Sequence, residues 1–218
     1  MRRDKFLRRG LNMKLDALLA LAKAKCNNDD PAHDFVHILR VRRMCEVISK
    51  SEGANLRTLI PAAILHDVVN LPKDSPDRFE ASQMAADESR LILEQAGFEL
   101  SEIYEIRDII IEHSYSLGKK PSSLESAILQ DADRLDAIGA IGIMRAVTGG
   151  CRLGSTYYNL SEPFPKSRDL NDKAFTIDHF YTKLFKLADK MNTKVGKIEA
   201  KRRLAFMNAF LDQLGSEI

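Results

Sequence analysis

The stretch Leu59-Ile60-Pro61-Ala62-Ala63-Ile64-Leu65-His66-Asp67 decides how the rest of the chain reads. It is an apolar run that stops at an imidazole beside a carboxylate, so one point at the edge of a core carries two kinds of metal ligand. Its weight depends on whether other segments supply matching groups. On both sides of it, apolar residues recur at helical intervals, strand-type alternation is nearly absent, and no repeat or low-complexity stretch is visible. The expectation is an all-α fold, one helical bundle with its site between helices.

Working outward, the spacing predicts a first helix over 14–26, broken by Asn27-Asn28-Asp29-Asp30-Pro31. A second runs over about 32–51, with Val36, Leu39, Met44, Val47 and Ile48 as its apolar stripe. The quoted stretch belongs to a helix over 56–69, after which Pro72, Asp74, Ser75 and Pro76 mark a loop. Helix 79–96 stops at Gly97. Helix 101–114 has Ser101 as N-cap and Ile103, Ile106, Ile110 and Ile111 inward. Another starts at Pro121-Ser122-Ser123, and the pattern continues from Asp131 to Val147. Gly139 and Gly142, beside Ala137 and Ala140, leave room for close helix approach. Residues 148–172 lack periodicity, and helices over 175–190 and 195–214 complete the chain.

Length and composition narrow the function classes. A chain of 218 residues with 44% apolar and 29% charged content suits one globular domain. Arg2, Arg3, Lys5, Arg8 and Arg9 against Asp4 give residues 1–12 a net charge of +4, so the total of +2 leaves −2 for the rest. The body is therefore not a general nucleic-acid binder. Residues 1–12 are set apart as a basic N-terminal extension, a disordered segment or an upstream start, and residues 13–218 as the domain. Cys26, Cys45 and Cys151 form an odd, scattered set that argues against a disulfide framework. No apolar run reaches the roughly 20 residues that span a bilayer. Asp16 and Lys23 interrupt Leu15–Ala24, which reads as an amphipathic helix rather than a signal peptide. A cytoplasmic protein is expected.

The chain has five histidines: His33, His37, His66, His113 and His179. His33 and His37 share a helix face, and Arg40 lies one turn beyond. His66 and Asp67 would come from a further helix, and the cluster Asp131-Ala132-Asp133-Arg134-Leu135-Asp136 from another. Two imidazoles with two carboxylates suit a divalent transition ion and leave positions for water or substrate. Such an ion acidifies water and polarises a phosphoryl oxygen. Structural zinc fits less well, because it favours cysteine and a closed shell.

In this order, His37, His66-Asp67 and Asp133 resemble the His…His-Asp…Asp signature of the HD superfamily of metal-dependent phosphohydrolases. His33-Asp34-x-x-His37-x-x-Arg40-Val41, Leu65-His66-Asp67 and Asp131-Ala132-Asp133-Arg134 through Ala140 carry the likeness. It continues through Pro76-Asp77-Arg78, Glu112-His113-Ser114 and Asp178-His179-Phe180-x-x-Lys183-Leu184, and points to the small single-domain bacterial branch. The resemblance implies a metal held by His37, His66, Asp67 and Asp133, with Asp131 or Asp136 orienting a ligand. Asn70 stands where an extra carboxylate would help a second ion, so one divalent ion is expected, with Mn, Mg, Fe, Co, Ni and Zn all open. Asp67, His113 and His33 are the candidate catalytic groups. Arg40, Arg78, Lys183 and Lys186 are the candidate phosphate contacts, and Tyr157 or Tyr158 a base-stacking group.

The implied activity is hydrolysis of a phosphoric ester or anhydride in a small phosphorylated metabolite, a nucleotide above all. A nucleotide-sensing module without turnover, or a cyclic-nucleotide or alarmone hydrolase, is the alternative. No membrane or nucleic-acid partner is expected, and a homodimer is left open.

Overall fold

The computed structural model describes residues 2–26, 34–71 and 75–218, apart from the side chains of residues 2–12 and Arg78. Its α-helices are α1 Arg2–Lys25, α2 Phe35–Glu52, α3 Leu56–Leu65, α4 Ala81–Gln95, α5 Leu100–His113, α6 Leu124–Asp136, α7 Gly139–Arg152 and α8 Lys194–Glu217. Among the described residues there is no strand, only an isolated bridge between Thr156 and Phe175. The fold is all-α, as the periodicity predicts. No described helix is long and apolar enough to cross a membrane. The chain divides into two compact units, Met1–Ala132 and Asp133–Ile218.

The first unit is organised by α3. Every residue from Thr58 to Leu65 is buried, as expected for a helix apolar on all sides. It packs against α2, α5 and α1, while α4 packs chiefly on α5. Asn55 caps α3 by accepting from the Arg57 N–H. Pro61 sits inside the helix and removes one backbone donor. The helix ends at Leu65, with His66 as C-cap, so the polar doublet emerges where the most buried element stops.

Several predicted details shift. The first helix begins at Arg2 rather than Lys14. On α2 the apolar stripe is misplaced except at Ile48, which is fully buried. Val36, Leu39 and Val47 are 52%, 38% and 43% exposed, and the inward face is His37, Ile38, Val41, Cys45, Ile48 and Ser49. The buried side of this helix includes polar groups, so apolar residues alone misjudge its rotation. Asp34 caps it, accepting from the His37 N–H at 2.8 Å. Residues 76–80 form a 3₁₀ turn ahead of α4. Glu99, not Ser101, is the N-cap of α5, and its N–H donates to Glu102. Ile109 takes the inward place predicted for Ile111.

In the second unit, the helix predicted to run from Asp131 to Val147 is interrupted. Gly139 has φ +79°, which breaks the helical path and favours glycine. A Cβ there would press on the Arg203 side chain of α8, the close helix approach expected. At Gly142 a Cβ would instead collide with the Ala137 carbonyl oxygen, in the chain's own preceding turn. Helix α7 continues through Gly149-Gly150 to Arg152, so the irregular segment starts later than residue 148. The helix predicted over 175–190 is a π turn, Phe180–Leu184, followed by a 3₁₀ turn, Phe185–Lys190. Phe180 is fully buried, stacked on Phe210 and edge-on to Phe185.

The irregular segment is held by its own acids. Glu162 accepts the N–H groups of Lys166 and Ser167, which lower its pKa to about 2. Arg168 donates two bonds of 2.6 Å to Asp178, which also accepts the Asn171 N–H. Burial pushes the Asp178 carboxyl up, but these donors outweigh it and hold it below its ordinary value. Stability from a depressed carboxylate is present above its unfolded pKa, about 4, and is lost as pH falls through the folded value. Asp178→Asn should therefore melt below wild type at neutral pH, and the gap should narrow in thermal melts taken from about pH 7 toward pH 3.

Candidate metal centre

Three helices of the first unit deliver the cluster. His37 comes from the inward face of α2, His66 and Asp67 from the end of α3, and His113 from the last residue of α5. The side chains of His37, His66 and His113 are 0%, 0% and 8% exposed, whereas that of Asp67 is 17% exposed and is where solvent chiefly reaches the cluster.

His66 and His113 are fixed by the same local device. Each sits at a helix C-terminus, where carbonyls lack helical donors. The Nδ1 atoms lie 2.9 Å from the Ala63 carbonyl oxygen and 2.5 Å from that of Ile110, each three residues back. A carbonyl only accepts, so both Nδ1 atoms carry hydrogen, and in the neutral ring the lone pair is on Nε2. Helix C-termini also favour positive charge.

Those Nε2 atoms converge on Asp67. His37 Nε2 and His66 Nε2 are 3.3 Å apart, and they lie 3.6 and 3.7 Å from Asp67 Oδ2. His113 Nε2 lies 3.6 Å from the other oxygen, Oδ1. The ring centroids of His66 and His113 are 5.0 Å apart. Acceptor atoms brought this close are held either by a proton on a ring nitrogen or by a cation among them. An ion bound tetrahedrally at about 2.0–2.2 Å holds its ligand atoms roughly 3.3–3.6 Å apart, close to the 3.3, 3.6 and 3.7 Å found. His66, Asp67 and His113 likewise offer ligand atoms within 4.8 Å of one another. Burial raises the Asp67 carboxyl, but His66 beside it, with His113 and His37, outweighs this and holds it well below the carboxylate range. The donor set fits a divalent cation.

The remaining predicted residues fall as follows. Arg40 lies on α2 one turn beyond His37, half-buried. Asp131 is fully buried on α6, and Asp133, half-buried two residues later, opens the second unit. Asp136 pairs with Arg145 at 2.7 Å. Lys183 and Lys186 belong to the second unit, half-buried and exposed, as do Tyr158 and Tyr157. His33 and the Arg78 side chain lie outside the described residues. Sequence reading missed that His113 faces the same carboxylate as His37 and His66. The repeated arrangement, an apolar helix ending in histidine, was the available signal.

Comparison with known proteins identifies the family. The HD domain family matches residues 34–138. The Bacillus subtilis protein YpgQ is 31% identical over 193 residues, 88% of this chain and 87% of YpgQ. The crystal structure of YpgQ in complex with ADP superposes with a TM-score of 0.74 at 27% identity, covering 96% of this chain and 97% of the other. An HD-superfamily hydrolase from Bacillus thuringiensis has a TM-score of 0.75 at 32% identity, covering 95% of this chain and 97% of its own. Sequence motif, helical fold and imidazole–carboxylate cluster together place this chain in the HD superfamily of hydrolases.

Proposed function

We propose that the chain is a phosphohydrolase that releases phosphate or diphosphate from a small phosphorylated metabolite, a nucleotide, with one divalent ion held by His37, His66, Asp67 and Asp133. The observation that carries this reading is the triangle of His37 Nε2, His66 Nε2 and Asp67 Oδ2, whose sides suit the ligands of one ion. Nucleotide as substrate class is supported by the relative YpgQ, which has been crystallised with ADP. When bound, the ion would acidify water and offset charge on a phosphoryl oxygen.

The chain's own groups then have assignable tasks. Asp67 accepts a proton at Oδ1, the oxygen facing His113. His113, as imidazolium, donates from Nε2 to the leaving group. His33 is a further proton-handling candidate. Arg40, Arg78, Lys183 and Lys186 offset substrate charge. Residues 13–218 constitute the hydrolase domain, and residues 1–12 its basic extension.

The test is phosphate and diphosphate release across mono-, di- and triphosphates, cyclic nucleotides and alarmones. Turnover of at least one compound is expected, abolished by chelator and restored by a divalent ion. A metal-loaded protein that binds a nucleotide and hydrolyses nothing in the panel would overturn the enzyme reading in favour of a sensing module.

A further inference from the structure

Helix α8 turns an apolar face to solvent as well as one to its own unit. Gly196, Ala200, Met207 and Leu211 are buried, and the helix packs on α7 and on the turn Phe185–Lys190. On the opposite side Ile198, Arg202, Ala205, Phe206 and Ala209 are all exposed, at the three- and four-residue steps that keep one side of a helix in line. Ile198 and Phe206 are 62% and 52% exposed. Single apolar side chains on a surface are ordinary, but a stripe of them along one helix marks a contact surface. Between the two large residues, Ala205 and Ala209 are short enough to let another helix come close.

The charges of the same helix select what that surface faces. Residues 194–203 carry Lys194, Lys197, Lys201, Arg202 and Arg203 against Glu199, a net of +4, and residues 204–217 carry only Asp212 and Glu217, a net of −2. Glu199 is engaged within the chain by Arg202 and Arg203, while Lys194, Lys197, Lys201, Asp212 and Glu217 are exposed. A helix with one basic and one acidic half is complementary to a second copy of itself laid antiparallel, and that pairing also sets opposite dipole ends together. Position fixes the register. Lys201 and Asp212 lie about three turns apart on one edge of the stripe, and midway between them is Phe206, the largest exposed apolar side chain of α8. A two-fold axis there puts Lys201 of each copy beside Asp212 of the other and sets the two Phe206 rings together.

We propose that the outer face of α8 is a homodimer interface, closed antiparallel about Phe206. The helix has 24 residues and is about 36 Å long. One such helix on each side buries an area at the low end for specific interfaces, so the dimer is weak.

The test is sedimentation equilibrium of the full-length protein from about 1 µM to about 1 mM, the range of weak complexes. The mass should rise with concentration from that of the 24.6 kDa chain toward twice that value. Phe206→Lys should raise the dissociation constant at least about tenfold, as loss of a central aromatic anchor does. Lys201→Asp and Asp212→Lys should each weaken the dimer and together restore it, because the antiparallel register brings these positions side by side. A monomer throughout the range overturns the proposal and leaves the face to a different partner. A dimer that Phe206→Lys leaves intact, or single charge reversals that the double variant does not rescue, overturns it as well. Should Phe206→Lys fail to fold, the charge exchange decides alone.

Discussion

Asp67→Ala is expected to lose metal retention and turnover together, by at least about 100-fold in each. Groups that merely orient a metal ligand cost roughly 10–100-fold in affinity when removed, and Asp67 stands nearer the centre than that. Its Oδ2 closes the triangle with His37 and His66, while its Oδ1 faces His113. Replacing it removes the carboxylate that faces all three imidazoles, and with it the proposed proton acceptor. The fold should survive, because Asp67 lies beyond α3, whose core is Leu59 to Leu65. Elemental analysis, a turnover assay and circular dichroism on one preparation check this. Full activity in the variant would sink the site assignment.

Phe180→Ala should be the most damaging single truncation in the second unit. Phe180 is fully buried, with its ring 6.3 Å from Phe210 and 6.1 Å from Phe185 between centroids. Emptying such a site costs about 3–5 kcal/mol, the transfer loss plus the cavity. The reading is a lower denaturant midpoint, with the slope unchanged if the unfolding remains cooperative. Because Phe180 follows His179, whose Nδ1 lies 3.1 Å from Asp172 Oδ2, the variant should also loosen that pairing and broaden the His179 resonances. A loss of unfolding free energy below about 1 kcal/mol would mean that the ring is not the anchor it is taken to be.

The sequence reveals the outline of the fold and the heart of the site for different reasons. The all-α class follows from periodicity, which tolerates errors of one or two residues at each end. Helix rotation does not. On α2 the inward face is chosen by His37 and Ser49 as well as Ile38 and Val41, and a count of apolar residues points instead at exposed Val36 and Val47. The break between α6 and α7 was equally hidden. Apolar spacing continues across it, and the extended backbone at Ile138 with the left-handed one at Gly139 stops the helix.

Within the site, His37, His66 and Asp67 were legible because spacing and motif agree. The tautomers were not. They depend on carbonyls three residues back, at Ala63 and Ile110, which become acceptors only once α3 and α5 end where they do. The Asp172–His179 pair was hidden too, since it needs the intervening segment to turn back on itself through Arg168 and Asp178.

The most direct test of the central claim is anomalous diffraction from crystals of the wild-type protein grown with a divalent transition ion. The expected result is one ion per chain, about 2.0–2.2 Å from His37 Nε2, His66 Nε2 and Asp67 Oδ2. An ion bound elsewhere, or none in a preparation that hydrolyses nucleotides in the presence of chelator, would contradict it.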